Sequence, residues 1–324
     1  MEHIPEYEIY RKISYQKFVL NGKIFQLSNY PYLDIVFTDF CNCKCKFCIA
    51  HLVHQKKWCD IEAHKPKIKY AIEQLGVREV LLLGGEPTID ERIFHTIDYL
   101  KTFPQMVKIC ITTNGHRMAK DWEYAKRLIS SGITHINLSL MSLDEEQQKF
   151  ISGSKQYVGL KDVKEFYRLC NLYDVRLRIN NNVFKGNNDT FKSLMDFYAE
   201  VFPYCHSVKF SPLLKTDSFS TVNVVTKFNK ENILTDQEYD NLWHEVENYL
   251  QKRGTEIVRN LETFGFVEYS MALLMTPIIF NYNQHGQLRK KIVEEGKINN
   301  LKLLVNGELS LSWNREEKDY FIKC

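Results

Sequence analysis

The run Asp34-Ile35-Val36-Phe37-Thr38 stands two residues ahead of Cys41-Asn42-Cys43-Lys44-Cys45-Lys46-Phe47-Cys48, so a strand-like stretch delivers the chain into a loop crowded with thiols. Outward from this point, β-branched runs alternate with amphipathic helical patterns, the mark of βα units that build a parallel sheet. The strands are expected over Asp34 to Thr38, Val77 to Leu83, Val107 to Thr113, Thr134 to Leu140, Val175 to Val183 and Ser207 to Pro212. Helices are expected near Pro66 to Leu75, Glu91 to Thr102, Trp122 to Ser131, Leu160 to Tyr173, Thr190 to Phe202 and Gln237 to Lys252. Pro66 suits a first helical position, where its missing N–H costs nothing. Asn21-Gly22 and Asn306-Gly307, each flanked by apolar stretches, supply the positive φ of two-residue turns and predict a hairpin at either end. No linker or low-complexity tract interrupts the chain, so one barrel-like core carries terminal appendages.

The 324 residues exceed the usual size of one small domain, and 44% hydrophobic with 26% charged residues excludes a disordered or collagen-like chain. Forty-three basic against 40 acidic residues give +3, too even a balance to imply a nucleic-acid partner. The first thirty residues lack the apolar core of a signal peptide, and no apolar run reaches the eighteen residues of a membrane span. The expectation is a cytoplasmic protein. Nine cysteines in a reducing compartment point to metal or catalysis over a disulfide framework.

Cysteines spaced x3 then x2, at 41, 45 and 48, can each reach a separate iron of a cubane [4Fe–4S] cluster and leave the fourth iron open. A zinc site completed by His51 or His54 is the alternative, as is a set of unliganded buried thiols. Gly84-Gly85-Glu86-Pro87 closes the second strand, where two glycines permit close backbone approach and Glu86 offers a carboxylate to an ammonium group; alone it would be a turn with a solvated Glu. Thr112-Thr113-Asn114-Gly115 puts polar groups at the carboxyl edge of the third strand, where parallel sheets bind ligands. In Arg178-Ile179-Asn180 the strand period turns Arg178 and Asn180 to one face, into the barrel, where an arginine calls for an anion or a structural ion pair.

Cys41-x3-Cys45-x2-Cys48 with Phe47 before the last cysteine resembles the radical S-adenosylmethionine (SAM) superfamily, and the later strands extend the resemblance to its subset around molybdenum cofactor biosynthesis protein A. The likeness covers residues 33–215. It implies a partial, open (β/α)6 TIM-like barrel with N-terminal and C-terminal β-hairpin appendages, divided into a 1–32 extension, a 33–215 core and a 216–324 region over the substrate cavity. It implies that Cys41, Cys45 and Cys48 hold a [4Fe–4S] cluster whose open iron binds SAM, cleaved there to methionine and a 5′-deoxyadenosyl radical. Gly84, Gly85, Glu86 and Pro87 then serve the SAM amino group, Thr113 and Asn114 the adenosine, and Arg178 the carboxylate. Ser139 helps hold SAM, and Asn180 shares the face of Arg178. Phe184 to Asp189 resembles the subset's loop after that strand, whereas Met141 replaces the acidic residue usual after Ser-Leu.

Beyond Cys48 only Cys59, Cys110, Cys170, Cys205 and Cys324 remain, none within three residues of another, so one cluster is expected. The chain also lacks the cysteine cluster and Gly-Gly tail of the molybdenum-cofactor enzyme, so that activity is not expected. Cys43 reads as a spare thiol, Cys110 and Cys170 as small core hydrophobes. Cys205 is a candidate hydrogen donor or core filler. Lys44, Lys46, Lys56 and Lys57 form either a solvated face or a dock for an acidic flavodoxin or ferredoxin. Met271 to Phe280 is core or a cover that turns Tyr282 and His285 to the cavity. The substrate is a ribosomal peptide or a small sugar, nucleoside or amino acid. An iron–sulfur electron carrier or sensor would need no SAM site, which Glu86 and Arg178 argue against.

Overall fold

Asn21 and Gly22 take φ of 49° and 78°, so the chain reverses tightly and Tyr15–Leu20 (β1) pairs antiparallel with Lys23–Thr38 (β2). The second arm of this hairpin and the first barrel strand are one continuous strand of 16 residues. The computed structural model describes residues 14–50, 57–215, 223–253, 256–261, 266–270, 278–281, 294–312 and 318–323.

Five more strands follow in sequence, Glu79–Gly84 (β3), Lys108–Thr113 (β4), His135–Ser139 (β5), Arg176–Val183 (β6) and Ser207–Pro212 (β7), each parallel to its predecessor. Helices Ile61–Glu73 (α1), Ile93–Lys101 (α2), His116–Lys120 (α3), Trp122–Ile129 (α4), Glu145–Ser152 (α5), Leu160–Leu172 (α6) and Phe191–Val201 (α7) lie between them. Val224–Asn232 (α8) and Asp236–Gln251 (α9) follow β7. Strand residues facing the helices are almost wholly apolar and buried, as with Leu33, Ile35, Leu82, Ile111, Leu138, Ile179 and Phe210. Each such side chain contributes roughly 1.5–3 kcal/mol by leaving water.

Pro66 does not open its helix. α1 begins five residues earlier, where the Asp60 carboxylate accepts from the amides of Glu62 and Ala63, and Pro66 lies inside it. The Asp60 cap fixes where the helix starts, and Pro66 removes one ladder bond at an exposed turn further in.

The C-terminal third widens the wall. Ile278–Asn281 (β10) pairs parallel with β7, backed by the antiparallel strands Glu256–Leu261 (β8) and Phe266–Ser270 (β9). At the other edge Lys297–Leu303 (β11) pairs parallel with β2, followed by Leu309–Ser310 (β12) and Phe321–Ile322 (β13). The barrel is therefore open, with six sequential strands and one parallel strand added at each edge. The terminal hairpin is part of its wall. Of the run Met271 to Phe280, residues 271–277 lie outside the described ones, as do Tyr282, His285, His51, His54, Lys56, Trp313 and Cys324. Among the described residues no helix is long and apolar enough to cross a membrane.

Register sorts the inward face into rows. Thr112, Asn137, Arg178 and Ser207 share one face across β4 to β7, and Ser139, Asn180, Lys209 and Ile279 form the next row toward the carboxyl edge. Lower down, Lys302, Asp34 and Leu81 stand side by side. The outward face buries aliphatic groups while the inward one is largely polar, so this interior is built to meet a polar ligand.

Candidate active site

The cysteine loop leaves β2 at the carboxyl edge of the barrel. Cys41, Cys45 and Cys48 are half-buried there, and Cys43 is only 2% exposed. The Cys43 amide donates to the Cys41 sulfur at 3.3 Å, and the Cys48 amide donates to the Cys45 carbonyl at 3.1 Å. Hydrogen bonding to Cys43 holds the Cys41 thiol below its ordinary value, while bonding to Cys41 and Cys45 together with burial pushes Cys43 up. The Cys43 sulfur lies 3.4 Å from Nδ1 of His116, whose pKa burial lowers.

Two helices absent from the sequence reading hold this loop from outside. The amides of Lys44 and Lys46 donate to the carbonyls of Ser152 and Ile151 at the end of α5, and Asn229 of α8 donates to the Phe47 carbonyl at 3.3 Å. Phe47 enters an apolar cluster of Met141, Ile151, Phe184, Leu213 and Phe228. Gly153 closes α5 with φ 58°, and a Cβ there would fall 2.6 Å from the Lys44 carbonyl oxygen. α5 carries few apolar residues, so its periodicity was weak; the glycine was the one legible sign of its end.

The glycines of the second-strand motif face protein backbone. A Cβ on Gly84 would meet the Thr38 carbonyl oxygen at 2.2 Å, and one on Gly85 the Phe40 carbonyl oxygen at 2.1 Å. That proximity lets the Gly85 amide donate to Thr38 at 2.6 Å and the Glu86 amide to Phe40 at 2.7 Å, binding the end of β3 to the stem of the cysteine loop. Pro87 then starts a single 3₁₀ turn ending at Ile89.

Glu86 is 1% exposed. Its Oε1 accepts from the Thr113 hydroxyl at 2.6 Å and from the Thr88 hydroxyl and amide at 2.7 and 3.1 Å, while Oε2 accepts from the Asn114 amide at 2.7 Å. Burial still raises its pKa. Asn114 carries the connection onward, donating through Nδ2 to Asn42 Oδ1 at 2.7 Å and to the Cys43 sulfur at 3.3 Å. One network therefore joins the loops after β2, β3 and β4, with Glu86 at its centre.

Ser139, Arg178 and Asn180 occupy the inward face beside this edge. Arg178 donates through Nε to the Ser207 hydroxyl at 3.1 Å, and the buried Asn180 Oδ1 has no hydrogen-bond partner. Met141, in place of the usual acidic residue, turns into the apolar cluster and accepts from the Asn182 amide at 3.3 Å. Phe184 and Asn187 exchange backbone bonds of 3.1 and 2.7 Å, which makes the following loop a tight turn.

Cys205 is a correction. It precedes β7 and so lies at the amino end of the barrel, opposite the cysteine loop, packed in the helix-side core with its sulfur 3.4 Å from the Val201 carbonyl. Burial pushes its pKa up to about 12. Among the described residues no three His, Cys, Asp or Glu side chains gather as ligands of one metal ion, and a cubane spreads its thiolates over separate irons.

A family model described as the radical SAM superfamily matches residues 35–198, which is 164 of the 324 residues. The chain is 29% identical to GTP 3′,8-cyclase of Mannheimia succiniciproducens over 164 residues, covering 49% of this chain and 47% of that protein. It is 35% identical to the probable GTP 3′,8-cyclase of Thermococcus kodakarensis over 160 residues, 48% of this chain and 49% of the other. It spans about half the length of these curated relatives. Among solved structures, Streptococcus suis SuiB bound to S-adenosylmethionine superposes with a TM-score of 0.61 over 89% of this chain and 61% of that one, at 16% identity. The structure of anSMEcpe with bound AdoMet gives a TM-score of 0.58 over 90% and 76%, at 15% identity. At such identities the likeness is one of fold.

Proposed function

The chain belongs to the radical SAM superfamily, whose cofactors are a [4Fe–4S] cluster and S-adenosylmethionine, and from that premise we propose that it is an enzyme taking a hydrogen atom from a peptide or small-molecule substrate. The observation that carries the proposal is the network through Glu86, which ties the three-thiol loop to the rim residues of β3 and β4. When bound, the cofactors supply one electron and a 5′-deoxyadenosyl radical.

The residues suit these groups. Cys41, Cys45 and Cys48 would ligate one iron each, leaving Cys43 as an internal thiol donor. Gly84, Gly85 and Pro87 bring the rim against the loop, and Glu86 fixes Thr113 and Asn114 from behind, since its oxygens already accept four hydrogen bonds. Arg178 offers a fork to a carboxylate, and Ser139 with the unpartnered Asn180 Oδ1 offers polar contacts along the same wall. Lys44 and Lys57 are exposed near the loop, and Lys46 lies 3.0 Å over the Phe150 ring, which together suit an acidic flavodoxin or ferredoxin as reductant.

Substrate class is part of the proposal. The sequence relatives carry the name of a GTP cyclase, whereas SuiB has been solved with the precursor peptide SuiA. The test is anaerobic reconstitution followed by dithionite reduction with SAM. About four irons and sulfides per chain and formation of 5′-deoxyadenosine are expected; colourless protein that binds zinc alone would overturn the assignment.

A further inference from the structure

The Asn114 side chain is held by the protein at both ends. Its Oδ1 accepts from the His116 amide at 3.0 Å, which fixes that atom as the oxygen and turns the two N–H groups of Nδ2 toward the cysteine loop. Nδ2 lies 2.7 Å from Asn42 Oδ1, 3.3 Å from the Cys43 sulfur and 4.0 Å from the Cys41 sulfur. The backbone of Asn114 is pinned as well. Its amide donates to Glu86 at 2.7 Å, and Gly115 then turns the chain at φ 74°, where a Cβ would fall 2.5 Å from Leu138 Cδ1. Asn42 and Cys43, the two residues that Asn114 grips, flank the peptide whose N–H meets the Cys41 sulfur at 3.3 Å.

The geometry points to Asn114 as a positioning residue for the iron–sulfur cluster, its side chain clamping the Asn42–Cys43 peptide so that the N–H stays on the Cys41 thiolate, and not as a side-chain contact for SAM. This rests on the proposed ligation by Cys41 and adds to it a means of setting the reduction potential. A cluster held by thiolates gains one negative charge when it takes up an electron. An N–H donor at one of those sulfurs interacts more strongly with the reduced form and so raises the potential. Releasing the peptide lowers it. Water entering a loosened loop acts the other way, because solvent also favours the more highly charged form. The direction of the shift therefore separates loss of the clamp from general loosening. A hydrogen bond from this side chain to adenosine would have to take an N–H from Asn42 or Cys43, the residues that keep the peptide aimed.

The test compares reconstituted Asn114→Leu and Asn42→Ala with the parent protein. Leucine keeps the shape of the asparagine without its polar atoms, and Asn42 is exposed, so its truncation leaves the core untouched. A redox titration followed by EPR, without SAM, reads the cluster, and equilibrium dialysis reads SAM affinity. At a fixed solution potential the ratio of reduced to oxidised cluster should fall about three- to tenfold in Asn114→Leu, as for the loss of one ordinary hydrogen bond, and should fall in Asn42→Ala as well. SAM affinity should stay within about threefold of the parent, less than one charge-assisted contact would cost. If Asn114→Leu assembles no cluster, Asn42→Ala decides. An unchanged or raised ratio in either assembled variant would overturn the clamp, and SAM binding weakened tenfold or more by Asn114→Leu would return the side chain to the adenosine. The iron content of Cys41→Ala is read separately, and a full cluster there would strike the proposed ligation and the clamp with it.

Discussion

Gly85→Ala adds one methyl group at the join between β3 and the cysteine loop. The new Cβ would lie 2.1 Å from the Phe40 carbonyl oxygen and 2.4 Å from its carbon, where real Cβ atoms keep at least 3.0 Å, so one of the two backbones must move by roughly 1 Å. Neither neighbour is a flexible side chain. The shift strains or breaks the bonds from Gly85 to Thr38 and from Glu86 to Phe40, of 2.6 and 2.7 Å, each worth about 0.5–1.5 kcal/mol. With about 1–3 kcal/mol for overpacking, the loss totals roughly 2–6 kcal/mol. Calorimetry should show a melting temperature lower by the order of 10 °C. Iron analysis after reconstitution should show much reduced cluster, because Phe40 adjoins Cys41. Gly186→Ala is the control. A Cβ there meets nothing within 4 Å, and only its φ of +83° is strained, about 1–2 kcal/mol. If Gly85→Ala melts within 2 °C of the parent and assembles the full cluster, steric closure of the loop by this motif is wrong.

Three further outcomes are expected. Cys45→Ala should abolish cluster assembly while Cys43→Ala retains it, as read by iron and sulfide content; the reverse pattern would reassign the ligands. Arg178→Ala should weaken SAM binding about ten- to a hundredfold, the equivalent of roughly 1.5–3 kcal/mol for a charge-assisted bond, and equilibrium dialysis showing parental affinity would remove Arg178 from the site. Burial pushes the Asp34 carboxyl up to about 6, so the folded chain keeps a proton there that the unfolded chain releases near pH 4. The sign follows: the contribution of Asp34 to stability falls as pH rises from about 4 to 6, by the order of 3 kcal/mol. Asp34→Asn should therefore gain stability relative to the parent across that window, and a difference in melting temperature that stays flat with pH would refute it.

Local chemistry was legible. The six sequential strands pack apolar residues under helices, so their runs stand out without knowledge of partners. The three cysteines and Gly84 to Pro87 are compact motifs whose residue types already limit the chemistry. Pairings between distant segments were not legible. Nothing near Lys297–Leu303 says that it lies parallel to β2, because the bond from Asn300 to Asp34 spans 266 residues. The same limit applies to Glu86. Its motif announces a carboxylate, but the Thr113 hydroxyl and Asn114 amide that occupy it come from another strand. Cys205 misled because a loop before a strand and a loop after one look alike in sequence, although they lie at opposite ends of a parallel barrel.

The two strands that complete the wall also set a timetable for synthesis. β2 leaves the ribosome early, yet the edge it offers to β11 stays unpaired until residues 297–303 emerge, and β7 waits likewise for 278–281. From the emergence of β7 until that of β10 a nascent chain carries two bare parallel edges, the surfaces most apt to recruit another strand. At about 5–20 residues per second, the interval between the end of β2 at Thr38 and the arrival of β11 at Lys297 is on the order of ten seconds to a minute. Chains arrested before residue 278 should therefore be held by chaperones and be cut readily by protease, whereas chains arrested once residue 303 has cleared the exit tunnel should resist. Equal resistance in both would mean that the six-stranded core closes on its own.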